Sequence, residues 1–186
     1  SAEDQLFMTL NRVRRGFNFQ TLGDLFGICT STANKIFSAW VNLLYYQLGR
    51  LNIWPHRNII MENAPSDHKE TCPNLIGFID CTEFNLEQPS SLMRQSECFS
   101  HYKGCTTLKS LIMTDPNGAI IYVSPLFSGS ISDKQIVIDS GFLSILRQKV
   151  EKNEIYKGDI ILADKGFNFA SLFNDMNIEL NISTFK

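Results

Sequence analysis

The sequence predicts an α/β chain: a mixed sheet flanked by helices, preceded by an all-α helix-turn-helix module. Three observations carry this. Helical spacing runs through the first fifty residues, a proline-punctuated stretch follows, and from Leu75 onward short apolar runs of strand length alternate with turns and one helix. The 186 residues are 44% hydrophobic and 19% charged, enough to bury one real core and a small second module and too apolar for wholesale disorder.

Leu6, Leu10, Val13 and Phe17 fall at near-helical spacing and predict a first helix. Phe19–Phe26 reads as a short amphipathic helix, Gly27-Ile28-Cys29 as a turn, and Thr30-Ser31-Thr32 as the start of a longer helix through Ala33, Ile36, Phe37, Trp40, Val41 and Leu44. Two helices joined by a tight glycine-containing turn read as a helix-turn-helix. In that motif the start of the second helix meets DNA, and here it offers Ser31, Thr32, Asn34 and Lys35 to phosphates or base edges. An ordinary helical hairpin with a solvated polar face is the alternative. The charge distribution suits a DNA-contacting front. Residues 1–57 carry six Lys/Arg against three Asp/Glu, whereas the remainder carries eleven against sixteen.

We divide the chain into a helix-turn-helix module over 1–52, a linker over 53–74 and a sheet domain over 75–186. The linker reading rests on Pro55, Pro65 and Pro73 with polar residues between them; His56 and His68 there read as solvated. No apolar run approaches the roughly 20 residues that span a bilayer, so no membrane partner is expected, and the N-terminus shows no secretory pattern. The five cysteines are odd in number and irregular in spacing, so reduced thiols are expected. Cys98, His101 and Cys105 lack a CxxC knuckle and make a poor zinc set.

In the rear part, Leu75–Asp80 is an apolar run ending in an acid, and Thr106–Thr114 reads as a second strand. Asp115-Pro-Asn-Gly118 turns the chain into an antiparallel third strand over Ala119–Pro125. A Ser/Gly-rich loop, residues 127–132, leads to one helix from Asp133 to about Gln148, then a strand ending at Asp164. A short helix near Phe169–Phe173 and a strand near Glu179–Ile182 close the chain. If the first strand runs up, the second runs down and the third up. The helix then starts at the top, and a right-handed crossover lays the fourth strand parallel to an up strand. Asp80, Asp133 and Asp164 therefore collect at one edge, where open α/β sheets place ligands.

Three acids at one edge repel unless a cation offsets them. Oxygen-only donors suit Mg²⁺ or Mn²⁺, and two such ions about 4 Å apart serve phosphodiester chemistry. Each acid has a plainer reading. Asp80 can mark a strand's exit to solvent, Asp133 can pair with Ser130 as a helix-capping arrangement, and Asp164 can belong to a local turn with Lys165-Gly166. Glu83, near the same edge, reads as a residue supporting the others.

Ile79-Asp-Cys-Thr-Glu83, Tyr102-Lys103, Thr107-Leu-Lys109, Gly118, Ser128-Gly-Ser-Ile-Ser-Asp-Lys134 and Leu162-Ala-Asp-Lys-Gly-Phe167 occur in order and at fitting distances. Together they resemble the DDE endonuclease domain of PIF/Harbinger-type transposases, closest to the animal branch whose members often carry a THAP finger. The resemblance covers about residues 75–186, and the helix-turn-helix ahead of it also looks like the one such proteins carry. It implies an RNase H-like fold, nuclear location, double-stranded DNA as partner, a homo-oligomer, and metal-dependent strand cleavage and transfer. It also implies metal-site roles for Asp80, Asp133 and Asp164, with Asp80 and Asp164 as main, catalytic ligands. No THAP finger occurs in this sequence, and the family's last acid, a Glu on a later helix, has no counterpart before Lys186. Glu179 stands in a strand-like stretch and is a poor substitute. An alternative is therefore a catalytically inactive, domesticated DNA-binding or scaffold protein.

Overall fold

The computed structural model describes residues 1–182. The chain divides into two compact units, Ser1–Asn52 and Ile53–Lys186.

The first unit holds three helices: α1 (Ala2–Arg15), α2 (Phe19–Phe26) and α3 (Thr30–Leu48). The Asn18 side chain accepts the Thr21 amide at 2.8 Å, which caps α2. The turn to α3 passes so close to α2 that a β-carbon on Gly23 would lie 2.7 Å from the Ile28 carbonyl oxygen. Met8, Leu22 and Ala33 are buried together, with Phe17, Phe19, Phe26, Ile28 and Ile36 packed around them. The apolar stripe that identifies α1 in the sequence is not its buried face. Met8 and Thr9 turn inward, while Leu10 and Val13 are exposed, Val13 at 68%.

The second unit starts earlier than expected. Residues 53–74, read as a linker, hold α4 (Arg57–Asn63) and α5 (Ser66–Thr71). Trp54 and Ile60 are buried in the core of the second unit. Arg57 Nε donates to Asp159 Oδ1 at 2.6 Å, and its terminal nitrogen reaches Asn74 Oδ1 at 3.1 Å. The prolines mark helix boundaries here, with Pro65 immediately ahead of α5.

The sheet elements follow as β1 (Leu75–Asn85), α6 (Leu92–Cys98), β2 (Phe99–Ser100), β3 (Cys105–Thr114), β4 (Ile120–Val123) and β5 (Phe127–Ser128). Then come α7 (Asp133–Asp139), α8 (Phe142–Glu151), β6 (Ile160–Ala163), a 3₁₀ helix (Ala170–Met176) and β7 (Glu179–Ile182). Among the described residues seven strands form the sheet, ordered β2-β3-β1-β6-β7, with β4 and β5 also on β3. β3 is antiparallel to β1 and to β4, whereas β6 is parallel to β1 and β7 to β6. This is the mixed, helix-flanked sheet that the sequence predicts.

Two expectations change in detail. Strand β1 does not end at Asp80; its ladder with β3 continues to the pair Asn85–Thr107, so Asp80 is the sixth of eleven strand residues. The single helix expected from Asp133 is two helices, because Gly141 at φ +79° turns the chain through the left-handed region that glycine adopts freely. The core gathers Ile79, Leu111 and Met113 from the sheet with Ile136, Val137, Phe142 and Leu146 from α7 and α8. Trp54 stacks on Phe142 with ring centres 5.9 Å apart.

Candidate functional site

Asp80 and Asp164 meet through the parallel pairing of β1 with β6. Ile79 is in register with Ala163, so one step further along both chains Asp164 comes alongside Asp80. The two carboxylates are held in the same way. Asp80 Oδ1 accepts the Cys81 amide at 2.8 Å, and Asp164 Oδ1 accepts the Lys165 amide at 2.7 Å. Asp80 keeps solvent access, yet partial burial pushes its carboxyl above the ordinary range. The Cys81 amide opposes that push, and the charges of Asp133 and then Asp164 add to it. The other two acids expected at this edge thus both act on Asp80.

Asp133 is held differently. It opens α7, but the helix is capped by Ser132, whose hydroxyl accepts the Gln135 amide at 3.3 Å; Ser130 instead donates to the Glu97 carbonyl at 2.5 Å. The Ser130–Asp133 cap, the plainer reading of Asp133, does not form, because the loop before α7 is tied to the end of α6. The Asp133 carboxylate accepts from Lys109 Nζ at 3.3 Å and from the Cys81 thiol. Burial, then the charges of Asp133 and Asp80, push that thiol upward and keep it protonated.

Glu83 sits within β1, opposite Lys109 on β3. Its side chain is 8% exposed and accepts from the Thr107 hydroxyl at 2.8 Å, with Lys109 Nζ 3.6 Å away. Burial pushes its carboxyl up, but hydrogen bonds from Ser100, Thr107 and Lys109 outweigh that and hold it below the ordinary range. Strand alternation separates the two sets: Asp80 points to one face of β1, Cys81 and Glu83 to the other. Asp133 is bonded to groups of that second face. Among the described residues, no group of three His, Cys, Asp or Glu side chains could hold a metal ion.

Lys109 is the site residue that the sequence reading passed over as chemistry. Its signal was present, as a lone cation in an otherwise uncharged strand, but its meaning depends on facing Glu83 across the ladder. All five cysteines are free, and Cys98 and Cys105 form no metal group with His101 among the described residues.

In the first unit Ser31, Asn34 and Lys35 are exposed and Thr32 is half-buried at the start of α3. Cys29, just before it, lies 3.3 Å from the Ser31 hydroxyl and 2.9 Å from that of Thr32. Hydrogen bonds from Ser31 and then Thr32 lower its thiol to about 7. Asn34 Oδ1 accepts the Ser38 hydroxyl at 3.3 Å.

A mixed sheet that sets Asp80, within one strand, beside Asp164, just past the end of its parallel neighbour, defines an α/β domain with two acids at one place. The family described as "DDE superfamily endonuclease" matches residues 79–180, and the "Helix-turn-helix of DDE superfamily endonuclease" matches residues 1–50. The chain belongs to the DDE superfamily endonucleases. It is 22% identical over 170 residues to the "Putative nuclease HARBI1" of Xenopus laevis, covering 90% of this chain and 46% of that one. It is 22% identical over 162 residues to the protein of the same name in Rattus norvegicus, covering 86% and 45%. The chain therefore spans about half the length of the curated relatives it matches. No helix among the described residues is long and apolar enough to cross a membrane.

Proposed function

We propose that this chain supplies the DNA-binding module and the first two acids of a metal-dependent endonuclease and strand-transfer domain, in a DDE transposase or a protein derived from one. The observation that carries this reading is the pairing of Ile79 with Ala163, which brings Asp80 and Asp164 side by side. The donor set fits a hard divalent cation such as Mg²⁺ or Mn²⁺. It is all oxygen, and the upward push on Asp80, from burial first and then from the charges of Asp133 and Asp164, is one that a dication opposes. Asp80 and Asp164 would hold the ion, with Asp133 contributing from the start of α7. A bound dication supplies an activated oxygen nucleophile and stabilises the leaving oxygen of a phosphodiester. Glu83 keeps Lys109 in place behind these acids.

Ser31, Thr32, Asn34 and Lys35 would face double-stranded DNA, which accords with a nuclear protein. Bringing two DNA ends together favours a homo-oligomer. The test is cleavage by the full-length protein with Mn²⁺. Asp80→Asn and Asp164→Asn should each lose activity by at least 100-fold with the fold intact, and unchanged cleavage in either removes the assigned role. Lys35→Ala should weaken DNA binding and flatten its salt dependence, since each phosphate contact releases counter-ions; equal affinity at low salt would mean α3 does not face DNA.

A second reading, an inactive DNA-binding scaffold derived from a transposase, is favoured by the lack of a closed three-ligand group among the described residues. Mn²⁺ binding that depends on Asp80 and Asp164 would count against it.

A further inference from the structure

We propose that Lys109 is the built-in counter-ion of this acidic edge: it holds Asp133 when no dication is bound and yields it when one arrives. The inference rests on the metal reading above and deepens it.

Four carboxylates, Asp80, Glu83, Asp133 and Asp164, lie along or beside the second half of β1. Among the described residues Lys109 is the cation paired with any of them; Lys134 and Lys165, next in the chain to Asp133 and Asp164, form no ion pair with them. The Lys109 side chain is 12% exposed, and a lysine is buried to that degree only with partners. It has three: the Ile131 carbonyl at 3.2 Å, Asp133 Oδ1 at 3.3 Å and Glu83 Oε1 at 3.6 Å. Each is longer than the roughly 2.7–2.9 Å of a committed charge-assisted bond. The ammonium is shared among them.

Its two acidic partners differ in freedom. Glu83 is 8% exposed and tied to Thr107, whereas the Asp133 side chain is 34% exposed. Glu83 anchors the lysine; Asp133 is the partner that can turn. A dication at Asp80 and Asp164 draws Asp133 toward it, and Lys109 keeps Glu83 and the Ile131 carbonyl. Lysine and metal then compete for one carboxylate, and Lys109 is a positioning residue that sets how tightly the site takes a cation.

The test uses Mn²⁺ alone as probe, on the whole chain at low salt, with affinity read by electron paramagnetic resonance and folding by circular dichroism. Lys109→Met should bind Mn²⁺ about tenfold more tightly, as expected when one positive charge leaves a partly buried site, and should melt lower in chelator. Lys109→Arg, which keeps the charge, should stay within about twofold of the parent. A folded Lys109→Met with unchanged or weaker Mn²⁺ affinity overturns the proposal. Should Lys109→Met fail to fold, the unaltered protein decides. The Nζ resonance of ¹⁵N-labelled Lys109, assigned by its loss in Lys109→Arg, should shift as Mg²⁺ is added, and a resonance that stays put overturns the proposal. Mn²⁺ affinity unchanged in both Asp80→Asn and Asp164→Asn removes the metal reading itself. Affinity lost there but insensitive to Lys109→Met removes only the role of Lys109.

Discussion

The two units of this chain are held together by different means. The helical unit closes around Met8, Leu22 and Ala33, and its helices are set by caps and a close turn within a few residues of one another. The α/β unit closes around a much larger core, and it also buries charge. Asp159 meets Arg57 across 102 residues of chain, and Lys149 reaches Glu154 at 2.8 Å and the Trp54 carbonyl at 3.3 Å. The first unit is written in local pattern; the second depends on partners far apart in sequence. A charged group buried in such a core loses its hydration, so it is kept there only by a partner. That is why distant pairs such as Arg57–Asp159 appear in the larger unit.

Arg57→Ala should break this contrast hardest. It strips the counter-ion from the Asp159 carboxylate, which is 1% exposed, and should lower stability by about 3–5 kcal/mol, read by urea unfolding. A loss below about 1 kcal/mol would mean that α4 is only loosely docked. Leu22→Ala should remove about 2–5 kcal/mol from the helical unit, seen as lost amide protection in α2 and α3. Protection that survives would show the small core is not what holds those helices.

Asp80→Asn should act with the opposite sign. Its carboxyl is raised in the folded state, so the folded chain binds the proton more tightly than the unfolded one. Stability therefore falls as pH rises from the unfolded value through the raised one, and above it the penalty is complete. The variant should melt higher than the parent at pH 7 in chelator, by less than about 1 kcal/mol given the solvent access, and the gap should close as the pH drops toward about 4. Mn²⁺ should reverse the order by stabilising only the parent. A variant that melts lower at pH 7 would mean that the acid is not strained. The smallest effect belongs to Val13→Gln, expected within about 0.5 kcal/mol because Val13 faces solvent; a larger loss would make the α1 stripe a packed surface after all.

Part of the site was legible in the sequence for a physical reason. Asp80 and Asp164 each close a short apolar run, and a strand–strand–strand–helix–strand order with a right-handed crossover points both runs the same way, so both acids come to one edge. The surroundings of Asp133 were not legible. Ser130 at a spacing of three looks like a cap, but the hydroxyl that caps is Ser132, and Ser130 is spent on the Glu97 carbonyl. A helix start at Asp133 points to Ser132 as the cap, but only the fold shows that Ser130 is held by Glu97.

The sequence by itself determined the order and type of the main elements, the Asp115–Gly118 turn between antiparallel strands, and the helix-turn-helix, because each is encoded by residues within one turn or one strand of each other. The tertiary structure decided which side of α1 is buried, that residues 53–74 belong to the second core, that β1 runs on to Asn85, and that Lys109 stands between Glu83 and Asp133. Periodicity records which residues are apolar, but not what they meet, and a charge acquires its role only from the partner that the fold brings within reach.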